Sequence, residues 1–322
     1  MTGGAGYIGS HTVGLLRSRG DHVVVLDSLE LGHRQAIGDT PLVVGNTRDE
    51  PLVRSVLRDH KLDSVIHFAA YKAVGESVAN PGKYFDNNVF GTQQLLEAMR
   101  KENVGRLVFS STAAVYGNPK VLPVVEAAEL RPESPYGESK LMVEKMLPWY
   151  DRAYGLRSVA LRYFNAAGAI LDGSIGEDPR YVQNLVPLVM KAATGRAPTI
   201  KVFGTDYPTP DGTCIRDYIH VLDLASAHLA ALDFMVAQDK SDIFNLGTGK
   251  GASVKEVLET TRRIAGREVP TEWVARRPGD PVSVYADNAK ARTGLGWTPK
   301  YGLEEIVASA WKWQSQHPDG FK

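Results

Sequence analysis

The chain is predicted to fold as an α/β protein, a doubly wound parallel sheet joined to a smaller, loop-rich unit toward the C-terminus. Three observations carry this reading. Short β-branched runs alternate with amphipathic segments of helical length, a glycine-rich turn opens into the first helix, and prolines and glycines punctuate the chain from Gly168 onward. The 322 residues match roughly two domains of ordinary size.

In chain order, Tyr7 to Arg19 reads as a helix that stops at Gly20, where a left-handed cap costs a glycine nothing. His22 to Leu26 follows as a strand. Asp63 to Ala69, Arg106 to Ser110, Ser158 to Phe164 and Asp242 to Leu246 read as further strands, each too short for a helix. Asn88 to Glu102, Pro135 to Tyr154, Leu222 to Val236 and Val254 to Ala265 read as the helices between and after them; the last opens on the capping box Ser253-Val-Lys-Glu256 and ends at Gly266. Parallel neighbours need such crossovers, hence the parallel sheet. The nucleotide-binding unit is expected over residues 1–167 with returning segments near 216–247, and an interleaved substrate unit over 168–322. The strand that should feed the glycine turn is nearly missing, since only Met1 and Thr2 precede Gly3. Several buried strand residues at about 1.5–3 kcal/mol each rival a typical stability of about 5–15 kcal/mol, so the natural chain is expected to start upstream.

Lys plus Arg and Asp plus Glu number 37 each, so no broad field attracts nucleic acid or an anionic membrane, and neither is expected as a partner. No run approaches about 18 apolar residues and no signal peptide is evident, so a cytoplasmic address is expected. The single cysteine, Cys214, suits a reducing compartment; no metal is expected.

Gly3, Gly6 and Gly9 recur at intervals of three ahead of a helix, and Asp27 closes the next strand. Glycines there permit a tight turn and close approach of a pyrophosphate to a helix N-terminus, while the acid accepts from a ribose hydroxyl. A dinucleotide is the expected ligand. Tyr136 and Lys140 lie four apart on one helix face, and a cation beside a phenol favours the phenolate, which makes Tyr136 a general base. Ser110-Ser-Thr112 ends an apolar strand, where ligands of open α/β sheets collect.

With these segments the chain resembles the extended short-chain dehydrogenase/reductases, and within them the UDP-glucose (UDP-galactose) 4-epimerase family. The resemblance rests on the glycine opening with Ser10-His11, on Ile66-His-Phe-Ala-Ala-Tyr-Lys72-Ala-Val-Gly-Glu-Ser77 and on Asp86-Asn-Asn88. It continues through Phe109-Ser-Ser-Thr-Ala-Ala-Val-Tyr116-Gly, Ser134-Pro-Tyr-Gly-Glu-Ser-Lys140 and Arg162-Tyr-Phe-Asn165. Asn184-Leu185, Asp211-Gly-Thr-Cys-Ile-Arg-Asp-Tyr-Ile-His220 and Arg276-Arg-Pro-Gly-Asp280 complete it. It implies a Rossmann-like fold, NAD as cofactor, a UDP-hexose substrate and a homodimer through the helices at 88–102 and 135–154. Tyr136 is then base and acid, Lys140 its electrostatic partner and ribose ligand, and Thr112 holds the sugar O4 in place of the usual serine. Gly3, Gly6, Tyr7, Ile8, Gly9, Asp27, Asn46, Thr47, Phe68, Ala69, Lys72, Asn87, Ser110 and Tyr163 are implied on the cofactor. Asn46 stands where the family usually has aspartate. Lys72, Asn165, Asn184, Leu185, Lys201, Phe203, Arg216, Tyr218, Arg277, Asp280 and Val284 are implied around the UDP-sugar.

The implied reaction is oxidation at C4 to a 4-keto sugar, rotation of the hexose and re-reduction. A 4,6-dehydratase needs an acid after the strand-end threonine, where this chain has Ala113-Ala114. A UDP-uronic acid 4-epimerase and a non-catalytic NAD-binding regulator are the alternatives. NAD is favoured over NADP because Asp27 repels a 2′-phosphate and Ser28 supplies no cation; Arg34 is the one nearby cation. In the family a tyrosine at the Val284 position goes with rejection of N-acetylated sugars, so acceptance of UDP-N-acetylhexosamines is expected here.

Overall fold

The computed structural model describes residues 1–277 and 279–321; Pro278, within the Arg276 to Asp280 stretch, lies outside them. Six parallel strands form the main sheet, in spatial order Leu42–Val44, Val25–Asp27, Val65–His67, Arg106–Thr112, Arg157–Tyr163 and Asp242–Leu246. Between the second and third, Thr2 bridges Leu26 and His67. Its N–H donates to Ile66 O at 3.0 Å and its carbonyl accepts from Phe68 N–H at 2.9 Å, so a single residue joins the two halves of the sheet. The register aligns His67 with Phe109 and Thr112 with Tyr163, which brings the carboxyl ends of these strands to one edge. Ligands of open α/β sheets bind at that edge.

Both faces are covered. Tyr7–Arg19 and Val221–Gln238 pack on one, around Val13, Leu16, Val108, Leu161, Leu224 and Phe244. Glu50–Asp59, Gly91–Lys101 and Pro135–Tyr154 pack on the other, around Val53, Leu95, Leu107, Val143 and Leu147. Among the described residues, Val221–Gln238 is long and apolar enough to cross a membrane. Its apolar character is explained by its place in this core, and it carries Asp223 and Asp233.

Pro135–Tyr154, Asp242–Leu246 and the capped Val254–Ala265 keep their expected bounds. The helix expected from Asn88 instead begins as a wide π turn, Phe85–Phe90, before Gly91–Lys101. That turn aims the Asn88 amide at the Tyr71 N–H and carbonyl, both at 3.0 Å, and at Ser139 Oγ at 3.1 Å. Residues after Gly168 are less loop-like than expected. Leu185–Ala193, Val254–Ala265 and Leu303–Gln316 build their own core around Val189, Met190, Val257, Ile306 and Val307. Pro187, read as punctuation, lies in the first turn of its helix, where the missing N–H has no intrahelical partner to lose.

Candidate active site

The glycine turn is built for close approach. Gly3 has φ +68°, and a Cβ there would lie 2.5 Å from the Ala69 amide nitrogen; one at Gly9 would lie 2.3 Å from the Gly3 carbonyl. Both contacts are with backbone, which cannot give way. At Gly6 the nearest atom is the Gly3 carbonyl at 3.3 Å, so the turn presents bare backbone to the cleft. Asp27 is 7% exposed, and its two oxygens accept from Ala5 N–H and Leu29 N–H, each at 2.9 Å. Burial raises its pKa despite those bonds and nearby His33. Each oxygen retains a second lone pair for a ribose hydroxyl. Arg34 donates to the Thr40 carbonyl and does not line the cleft, so no cation faces a 2′-phosphate from that position.

A cavity of about 220 Å³ runs from this turn to the catalytic segment. Gly3, Gly6, Tyr7, Ile8, Gly9, Asp27, Asn46, Thr47, Phe68, Ala69, Lys72, Asn87, Tyr136, Lys140 and Tyr163 all line it. The bare turn, the buried acid and this lining fit a dinucleotide. Ser110 is the exception among the expected cofactor residues. It lies behind the wall, with Oγ 2.9 Å from His228 Nε2. Asn46 Oδ1 is engaged by the Arg48 N–H at 3.0 Å, while its residue still borders the cleft.

Thr112 ends its strand with Oγ1 accepting from Ala114 N–H at 3.1 Å. Tyr136 and Lys140 project from one helix face, 8% and 3% exposed. Lys140 Nζ donates to the Ser110 carbonyl at 2.8 Å and lies over the Phe109 ring at 4.9 Å. Here the electrostatics differ from the sequence expectation. Burial pushes the Tyr136 phenol up, against a hydrogen bond from Thr112 and the charge of Lys72. Burial likewise pushes Lys140 down to about 7, opposed by Glu144. Lys72 also acts on Tyr136 and pairs with Glu177 at 2.8 Å; burial lowers its pKa, but Glu177 more than offsets this and the net shift is upward.

The expected UDP residues stand apart from this cavity, save Lys72 and Tyr136. Asn165 Nδ2 donates to the Asp217 carbonyl at 3.0 Å. Arg216 holds the Ile215 and Pro281 carbonyls at 2.9 and 2.8 Å and lies 3.9 Å from Asp280. Val284 pairs with Arg216 in a parallel ladder. The Arg277 guanidinium lies 3.6 Å from the Phe203 ring centre. Asn184 caps Leu185–Ala193 with its backbone alone, and Leu185 packs at the edge of that core. Lys201 is solvent-facing, 3.8 Å from Glu272, and Tyr218 is buried in the later core. Sequence reasoning missed His33, Glu177, Asp178, Tyr181 and Phe321, which also line the cleft. Adjacent acids in Gly176-Glu-Asp-Pro179 were the available signal; nothing local in the sequence brings Phe321 to His33.

A family model described as GDP-mannose 4,6 dehydratase matches residues 1–310. A UDP-glucose 4-epimerase of Halalkalibacterium halodurans is 50% identical over 322 residues, covering 100% of this chain and 96% of its own length. The structure of a UDP-glucose 4-epimerase from Bifidobacterium longum in complex with NAD+ and UDP is 42% identical at a TM-score of 0.92, covering 99% of this chain and 98% of that one. The UDP-Glc/GlcNAc 4-epimerase of Campylobacter jejuni is 41% identical at a TM-score of 0.87, with 98% of both chains covered.

Proposed function

The chain belongs to the extended short-chain dehydrogenase/reductases and, within them, to the UDP-glucose 4-epimerases, and on that premise we propose how its cleft works. It interconverts UDP-galactose and UDP-glucose with NAD. The observation that carries the assignment of roles is that Tyr136 and Lys140 line one end of a cleft whose other end is the glycine turn and Asp27, with Thr112 beside it hydrogen-bonded to Tyr136. When bound there, NAD supplies the hydride acceptor and donor for C4. Tyr136 takes the O4 proton and returns it, oriented by the Thr112 hydroxyl. Lys140, held on the Ser110 carbonyl, fixes the ribose side. Because burial disfavours the phenolate, proton abstraction is helped by positive charge in the cleft, to which Lys72 contributes.

Arg216, Arg277 and Asp280 grip the UDP with Asn165, Asn184, Leu185, Lys201, Phe203 and Tyr218 around them, leaving the hexose free to turn. A dehydratase outcome is disfavoured because Ala113 and Ala114, which follow Thr112, offer no acid. Acceptance of N-acetylated sugars is supported by Val284, which packs toward Val115, Leu141 and Phe164, and by the dual specificity named for the Campylobacter jejuni relative. Two cores on the faces of the main sheet, one of them taking in Ile219, Leu224, Phe244 and Leu246, and a third built almost wholly from later residues support a nucleotide unit over 1–167 with returning segments near 216–247 and an interleaved substrate unit over 168–322. Exposed Phe90, Met142, Trp149 and Tyr154 support a homodimer through the helices that carry or flank them. A cytoplasmic location is part of the same reading, supported by the lone free cysteine.

The test supplies NAD-loaded protein with UDP-galactose and reads UDP-glucose through a coupled UDP-glucose dehydrogenase. Conversion is expected, with Tyr136→Phe retaining NAD and losing roughly 10²-fold or more in turnover. No conversion, or a variant within a few-fold of the unsubstituted protein, overturns the assignment.

A further inference from the structure

Two consecutive acids, Glu177 and Asp178, border the cofactor cleft, where bare carboxylates would repel an anionic dinucleotide. Neither is bare. Glu177 Oε1 accepts from Lys72 Nζ at 2.8 Å, while Asp178 accepts from Arg180 of its own segment, through N–H at 2.9 Å and Nη2 at 2.5 Å, and its Oδ2 also lies 2.6 Å from His33 Nε2. Lys72 and His33 follow the strands Val65–His67 and Val25–Asp27 on the sheet side, whereas both acids belong to the segment 168–181 on the far side. The acids are 11% and 6% exposed. A third link is the Tyr7 hydroxyl, which donates to the Gly168 carbonyl at 2.6 Å. Behind the segment, Trp313 Nε1 donates to the Glu177 carbonyl at 2.8 Å, and the Phe321 ring stacks on His33 with centroids 4.8 Å apart.

We propose that residues 168–181 form a strap that keeps NAD resident, fastened by Glu177 to Lys72 and by Asp178 to His33. The proposal rests on the NAD-dependent reading above. An enzyme that returns its cofactor to the starting oxidation state in every turnover has no use for exchanging it. Opening the strap parts Glu177, nearly buried, from Lys72, and an uncompensated buried charge is costly; Asp178 loses only its contact with His33, since Arg180 moves with it. The acids therefore act by closing the cleft, not by touching the cofactor.

The test follows NAD leaving purified, NAD-loaded protein by trapping it with alcohol dehydrogenase and ethanol and reading the NADH formed. The double variant Glu177→Gln/Asp178→Asn is expected to release NAD at least about tenfold faster, since barriers of this kind act on dissociation. Phe321→Ala, which keeps every charge, is expected to release it several-fold faster at an unchanged melting temperature, and it decides the matter if the double variant does not fold. Release as slow as from the unsubstituted protein, or slower, overturns the strap. Denaturing a parallel sample measures total NAD; protein that never held any overturns the cofactor reading, and the strap with it.

Discussion

Lys140 gives the cleft a pH signature of its own. In the unfolded chain its ammonium persists to near 10.5, whereas burial in the fold brings it to about 7, with Glu144 opposing. Between those values the unfolded chain binds more protons, so this residue's penalty is full below pH 7 and relaxes as pH rises toward 10. Lys140→Met removes the penalty. In cofactor-free protein the variant is expected to melt higher than the unsubstituted chain, with a gap that is widest near pH 6 and shrinks toward pH 10. A gap independent of pH contradicts this account of the buried ammonium. The residue scale also shows where reading the sequence stops: the spacing of Tyr136 and Lys140 placed both on one face, but their burial, which dominates both pKa values, depends on distant strands.

At the scale of elements, the glycine turn and the gate strand each carry a prediction. Gly9→Ala would drive a Cβ to 2.3 Å from the Gly3 carbonyl, whereas Gly14→Ala on the same helix meets nothing within 4 Å. The first is expected to lose NAD binding and melt lower; the second is expected to bind NAD normally and gain about 0.5–1 kcal/mol from helix propensity. Equal behaviour of the two, by cofactor titration and melting, contradicts the cradle. In Ser283–Val284, Val284→Tyr fills space beside Phe164 and Leu141. It is expected to cut kcat/KM for UDP-N-acetylgalactosamine by roughly 10- to 100-fold while sparing UDP-galactose. Equal effects on both sugars would place the gate elsewhere. Elements with strong local signals were legible: the capped helix Val254–Ala265 and the strand Asp242–Leu246 kept their bounds. The π turn at Phe85–Phe90 was not, because tertiary bonds from Asn88 to Tyr71 and Ser139 accompany it. Glu177 and Asp178 reach the cleft from a loop whose contacts across it, Lys72 and His33, lie more than a hundred residues away in sequence, which no periodicity reports.

Across the whole molecule, four histidines are buried neutral: burial lowers His11 and His228 to about 4 and His67 and His220 to about 3. Unfolding lets each take a proton below its ordinary value of 6.5, so each removes up to about 1.4 kcal/mol of stability per pH unit as the medium acidifies. The buried carboxyls Asp27, Asp217 and Asp223, whose pKa values are raised, act in the opposite sense. The histidines are expected to set the trend. The melting temperature should fall continuously from pH 6.5 to 5, and His228→Gln should flatten that fall; a profile level over the interval contradicts it. Sheet, cleft and gate serve one central claim, that the configuration at C4 is inverted by removing and restoring the same hydrogen while Tyr136 handles the O4 proton. UDP-galactose deuterated at C4 tests this directly, with the product analysed by NMR in ordinary water. The account predicts UDP-glucose that keeps its deuterium at C4, whereas loss of that label to solvent, or a product lacking water, would contradict it.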